Sequence, residues 1–209
     1  MNTQDKSSYL VELDVSQPIW DRFFTVAPLV VIGTREPDGQ YDFAPKHMVT
    51  PLGWDNYFGF VCTPAHGTYR NIRRERVFTV SYPTADAVVL TSLAASPRCG
   101  DDSKPALDAL PTFPAQAIDG RFLAQACLFF ECHLDRIVDG FGDNSLIAGR
   151  IVAAHLLPEA LRSMDVDDQE TISASPLLAY VSPGRYAKID RSLSFPFPAG
   201  FQKTKDSPS

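Results

Sequence analysis

The chain has 209 residues, 44% of them hydrophobic and 21% charged, an ordinary balance for a globular protein with a real core. Its formal net charge of −6 argues against a general nucleic-acid or acidic-membrane binder, because such proteins present net positive fields. Met1–Leu10 is polar and carries no apolar signal core, and no apolar run approaches the roughly 20 residues of a membrane helix. The four cysteines, Cys62, Cys99, Cys127 and Cys132, form no C-x-x-C pair and suggest neither a disulfide framework nor a zinc site. The expectation is one domain over 1–209, with a core at about 20–197, reduced and cytoplasmic, with no nucleic-acid or membrane partner.

The first clear element is 28–34, where Leu29, Val30, Val31 and Ile32 run without interruption. Such a run reads as a strand buried on both faces. Asp38-Gly39 follows as a hairpin signal, since glycine takes a positive φ without a Cβ clash. Tyr41 to Ala44 then returns antiparallel, and Pro45, lacking an N–H, is expected to end the pairing. Further strands are expected over 57–62 and 77–82.

Between those two, Thr68 is read as an N-cap opening a short helix over about 69–76. A second helix is expected over 85–95, and a loop over 98–105, where Gly and Pro interrupt a polar, charged stretch. Residues 126–138 read as a long half-buried strand with Leu128, Phe130, Cys132 and Leu134 on one face. After a turn at 140–143, residues 146–157 pair back as the longest hairpin. Residues 177–181 are read as a last strand, and the tail from Pro196 is expected to fray. Many short strands with few helices predict a mainly β Greek-key barrel with peripheral helices.

Two segments offer chemistry. In Phe43–Leu52, Pro45 and Pro51 bracket an irregular stretch carrying Lys46, His47 and Thr50. It reads either as a solvated connection or as a barrel-mouth loop whose backbone amides bond the edge of a heteroaromatic ring. In the second, Arg70, Arg73, Arg74 and Arg76 crowd seven residues behind Thr68 in an acidic chain. That is either a solvated helix face or, with a helix N-terminus beside it, a phosphate site. His133 and Cys132 alternate along a strand and do not share a metal, while His66 and His155 show no nearby partner. Glu131 and Asp135 share a strand face without further support for acid–base work. No Rossmann, Walker or Gly-x-Ser-x-Gly motif is present.

In order and spacing these pieces resemble the flavin reductase-like family, from about Pro28 to Phe197. The family's strand and Asp-Gly turn correspond to Pro28–Thr34 and Asp38-Gly39. Its Asn-x-Ala-Pro-x-Ser loop reads here Asp42-Phe43-Ala44-Pro45-Lys46-His47, continuing to Pro51. Its Thr-x-x-Asn-Ile motif is Thr68-Tyr69-Arg70-Asn71-Ile72. Its Glu-Cys strand is Glu131-Cys132, and Leu146–Val152 resembles its Gly-Glu-Val strand. The resemblance implies a split β-barrel that dimerises and holds FMN in a groove at the interface. Ala44, Pro45, Lys46, His47, Met48, Val49 and Thr50 would line the ring and ribityl chain. Thr68, Asn71 and Arg74 would serve the phosphate. It further implies an oxidoreductase passing a hydride from NAD(P)H to flavin, with no catalytic side chain and no metal required. Two departures stand out: His47 where the family commonly has Ser, and Asn144 where many of its reductases carry a His near the nicotinamide. They leave open an FMN-binding electron carrier without NAD(P)H activity, or a barrel interaction protein that has lost flavin.

Overall fold

A computed structural model describes residues 9–100 and 103–198. Its strands are β1 (Thr25–Pro28), β2 (Val30–Arg35), β3 (Tyr41–Lys46), β4 (Val49–Pro51), β5 (Tyr57–Cys62), β6 (Val77–Pro83), β7 (Thr112–Pro114), β8 (Arg121–Leu123), β9 (Ala126–Phe141), β10 (Asn144–Leu156), β11 (Leu177–Ser182) and β12 (Arg185–Ile189). The helices are α1 (Gly67–Glu75), α2 (Val88–Leu93) and α3 (Asp168–Ala174). Seven strands form one antiparallel sheet in the order β3-β2-β6-β9-β10-β5-β4, while β1-β11-β12 and β7-β8 form two smaller sheets.

Apolar run length explains the centre of this sheet. β2 is buried over Val30–Thr34, as its unbroken apolar stretch requires. Val30, Ile32, Phe58, Phe60, Ile72, Phe78, Val80, Cys132 and Ile147 close one core inside the curled sheet. The β9–β10 hairpin wraps around it, and Gly149 on β10 lets the ring of Phe78 approach where a Cβ would collide. Gly39 takes φ +88° in the β2–β3 turn, the left-handed conformation that the Asp-Gly pair signalled.

Several expectations are corrected. Pro45 does not end the pairing: it sits opposite Val31, and the ladder continues to Lys46 opposite Val30. β3 is an edge strand, so a missing N–H removes no inner ladder bond. Thr68 is not the N-cap; His66 holds that place, without a side-chain cap bond, and Thr68 is buried in the first turn. The 85–95 helix is a 3₁₀ turn over Ala85–Ala87 running into α2. β9 is buried on both faces in its first half, because Phe129 packs with Phe122 and Ala126 in a further cluster behind the main core. Short strands β1, β4, β7, β8 and β12, together with α3, add to the expected elements. Of the tail expected to fray, Pro196–Pro198 are exposed and in no regular element, with the Phe197 ring 4.7 Å from that of Phe195, and the rest lies outside the described residues.

Candidate functional site

The end of β3 and the start of α1 face each other across a polar cleft of about 490 Å³. Ala44, Pro45 and Lys46 form one wall, His66, Gly67, Thr68 and Arg70 a second, and Ala94–Arg98 with Lys104 a third. The first intrahelical bond of α1 runs from the Arg70 N–H to the His66 carbonyl at 3.3 Å, so the amides of Gly67, Thr68 and Tyr69 precede the helical ladder. With no side-chain cap on them, they give the cleft a partial positive charge. Arg70 Nη1 donates to the Ala65 carbonyl at 2.5 Å, which holds its guanidinium beside this helix start.

The third wall is pinned by charge. Lys104 Nζ donates to Asp42 Oδ1 at 3.0 Å and to the carbonyls of Phe43 and Ala94 at 2.9 and 2.7 Å, so its three protons are committed to tying Lys104 and Ala94 to β3. Arg98 pairs with Glu36 and stands 3.5 Å from Asp42. Four cations (Lys46, Arg70, Arg98 and Lys104) therefore face two carboxylates, a local excess of positive charge on a chain whose net charge is −6.

Immediately beyond Lys46 the chain enters a second cleft of about 450 Å³, almost wholly apolar, lined by His47, Met48, Val49, Thr50, Val61 and Leu146, with Trp20 at its side. β4 secures this wall: Val49 and Thr50 pair with Phe60 and Gly59, and the Val61 N–H bonds the Met48 carbonyl at 2.9 Å. The His47 ring lies 4.3 Å from the Tyr180 ring at a tilt of 31°. Burial first, and the Lys46 charge second, push the His47 pKa down, so the imidazole is neutral at pH 7. A neutral imidazole offers one donor and one acceptor and adds no charge to an apolar surface.

The ten residues singled out from the sequence thus divide. Ala44, Pro45, Lys46 and Thr68 line the polar cleft, and His47, Met48, Val49 and Thr50 the apolar one. Asn71 and Arg74 line neither. Asn71 is buried and donates from Nδ2 to Thr34 Oγ1 at 3.1 Å, tying α1 to β2. Arg74 is held on the Arg35 carbonyl at 2.5 Å and on Glu75 at 2.7 Å. Arg70, Arg98, Lys104 and Trp20 complete the walls without having been singled out. Arg70 was one of four arginines, and only the helix start distinguishes it.

His155 does have a partner. Its Nε2 lies 3.0 Å from Oε1 of Glu131, a fully buried carboxylate that also accepts the amides of Gln116, Ala117 and Ile118 at 2.6–3.2 Å. Burial alone would raise the Glu131 pKa; these amides and His155 outweigh it and hold the carboxyl below its ordinary range. The pair clamps the loop between β7 and β8 and lines neither cleft. Among the described residues no group of His, Cys, Asp and Glu is placed to hold a metal, the four cysteines are free thiols, and no helix is long and apolar enough to cross a membrane.

A curled antiparallel sheet with few helices defines a split-barrel protein, in which Lys46 lines a cationic cleft and the next residue, His47, lines an apolar one. The sequence matches the model of the flavin reductase like domain over residues 23–189, and the chain belongs to that family. Three solved structures share the fold. Component B of nitrilotriacetate monooxygenase from Bacillus cereus superposes with a TM-score of 0.75 at 16% identity, over 89% of this chain and 98% of that one. The 2-nitrobenzoate 2-nitroreductase of Pseudomonas fluorescens gives 0.72 at 18% identity, over 85% and 88%. An FMN-binding protein from Thermus thermophilus, solved with bound 1-cyclohex-2-enone, gives 0.71 at 21% identity, over 88% and 98%. No curated protein matches the chain in sequence.

Proposed function

We propose that the chain is an oxidoreductase of the flavin reductase type, binding FMN across the two clefts and passing a hydride to it from NAD(P)H. The observation that carries this reading is the Lys46–His47 junction. One residue lines a cationic cleft, the next lines an apolar one, and a ligand spanning both needs an anionic end and a flat apolar end. FMN has both, and the donor set suits it. The open amides of α1, the Thr68 hydroxyl and the Arg70 guanidinium hold a phosphate monoester, each charge-assisted bond contributing about 1.5–3 kcal/mol. Arg98 and Lys104, engaged with Glu36 and Asp42, form the far wall of the cationic cleft.

In the apolar cleft Met48, Val49, Val61 and Leu146 exclude water from the ring, while neutral His47 presents one ring nitrogen as donor or acceptor to its polar edge. The flavin supplies the hydride-accepting chemistry when bound, so no nucleophile or metal is required of the protein. The apolar cleft is open, and a second copy of the chain would complete its cover, giving a homodimer. A second reading, an FMN-binding electron carrier, is favoured by Asn144. It is exposed at the start of β10, paired with Phe141, and lines neither cleft. Titration with FMN, FAD and riboflavin, followed by NADH and NADPH oxidation assays, tests the proposal. Tight FMN binding with turnover supports the reductase, and binding without turnover the carrier.

A further inference from the structure

Trp20 lies ahead of β1 and ahead of residue 23, where the family match begins. Trp20 is 64% exposed, yet it lines the apolar cleft together with the His47–Thr50 stretch, and its ring meets that of Phe23 edge-on at 6.0 Å between centroids. The other side chains of this cleft are aliphatic or small apart from His47, whose ring is already stacked on Tyr180. A large aromatic surface left in water beside an apolar wall gains from being covered, and a flat ring stacked on it gains most.

We infer that Trp20 is a specificity-determining wall that packs on the ring system of the ligand in the apolar cleft, selecting a flat, fused heteroaromatic ring. This rests on the reading that the groove takes a flavin, because the cationic cleft one residue away fixes the ligand's anionic end and leaves its ring on the Trp20 side. An indole in contact with a flavin ring also donates an electron to the excited flavin and quenches its emission. Among the lining residues Trp20 alone carries an indole, and none carries a phenol.

The test uses the full chain and its Trp20→Ala and Trp20→Phe variants, titrated with FMN and with riboflavin, which shares the ring but lacks the phosphate. The expected result is quenched emission from flavin bound to the wild type and recovered emission in both variants. Trp20→Ala should weaken FMN and riboflavin by the same factor, about tenfold, whereas Trp20→Phe stays within about twofold of wild type. Unchanged affinity and quenching in Trp20→Ala overturns the inference while leaving the flavin site standing. Loss of FMN but not riboflavin affinity overturns it by moving the effect to the phosphate. A change of oligomeric state in Trp20→Ala by light scattering overturns it in favour of a subunit contact. Failure of the wild type to bind either ligand removes the proposed flavin site and this inference with it.

Discussion

Glu131 and His155 face each other across the β9–β10 hairpin at 3.0 Å, the carboxylate fully buried and the imidazole at the surface. One buried anion organises three loop amides and one ring nitrogen, so its charge is a structural element of the β7–β8 hairpin. Glu131→Gln keeps the shape but halves the acceptors and removes the charge. It should cost about 2 kcal/mol, a Tm lower by roughly 4–8 °C for a chain of this size. Since the folded pKa lies below the ordinary value of 4.5, the stabilisation is present above that value and is lost as pH falls through the folded pKa. Denaturant melts of both proteins from pH 7 down to pH 3 should therefore converge in the acid range.

Thr68→Ala removes a hydroxyl from the cationic cleft but, because Thr68 is not the cap, leaves the helix start intact. FMN should weaken several-fold, about 1 kcal/mol, with riboflavin unchanged. Isothermal titration with both ligands checks this, and equal weakening would relocate the phosphate.

Arg70 and Arg74 lie four residues apart on α1, about 6 Å along its axis, yet only Arg70 reaches the cleft. Arg70→Ala should weaken FMN by about tenfold to a hundredfold and reduce the salt dependence of binding. Arg74→Ala should leave FMN affinity unchanged and lower stability slightly, because its partners are the Arg35 carbonyl and Glu75. Parallel titrations at low and high salt distinguish them.

Asn144 can donate and accept hydrogen bonds but carries no positive charge toward a pyrophosphate. Wild-type reduction by NAD(P)H should be slow, and because Asn144 lines neither cleft, Asn144→His should not change the rate. Stopped-flow bleaching of the flavin measures both rates, and a faster variant would show that the nicotinamide reaches residue 144.

Much of the barrel was legible because its central strands are long apolar runs. β2 stands where its Val30-Val31-Ile32 run places it, β5 and β6 where Val, Phe and Tyr recur in short segments, and the Asp38-Gly39 turn falls where its φ demands. The three- and four-residue strands β1, β4, β7 and β8 carry too few positions for a period to show. α3 was not expected: Asp167 caps it by accepting from the Gln169 amide, but its seven residues give no full apolar stripe. At the site, the Ala44–Thr50 segment and Thr68 were readable from motif order. The difference between Arg70 and Arg74, the partner of His155, and the place of Trp20 were not. Each depends on contacts between segments distant in sequence, to which local periodicity is blind.

The most direct test of the central proposal is the titration of purified protein with FMN, followed by flavin fluorescence and by the Tm. Saturable binding near one FMN per chain, with the Tm rising as FMN is added, is the expected result. Flavin fluorescence and Tm both unchanged at saturating FMN would contradict it.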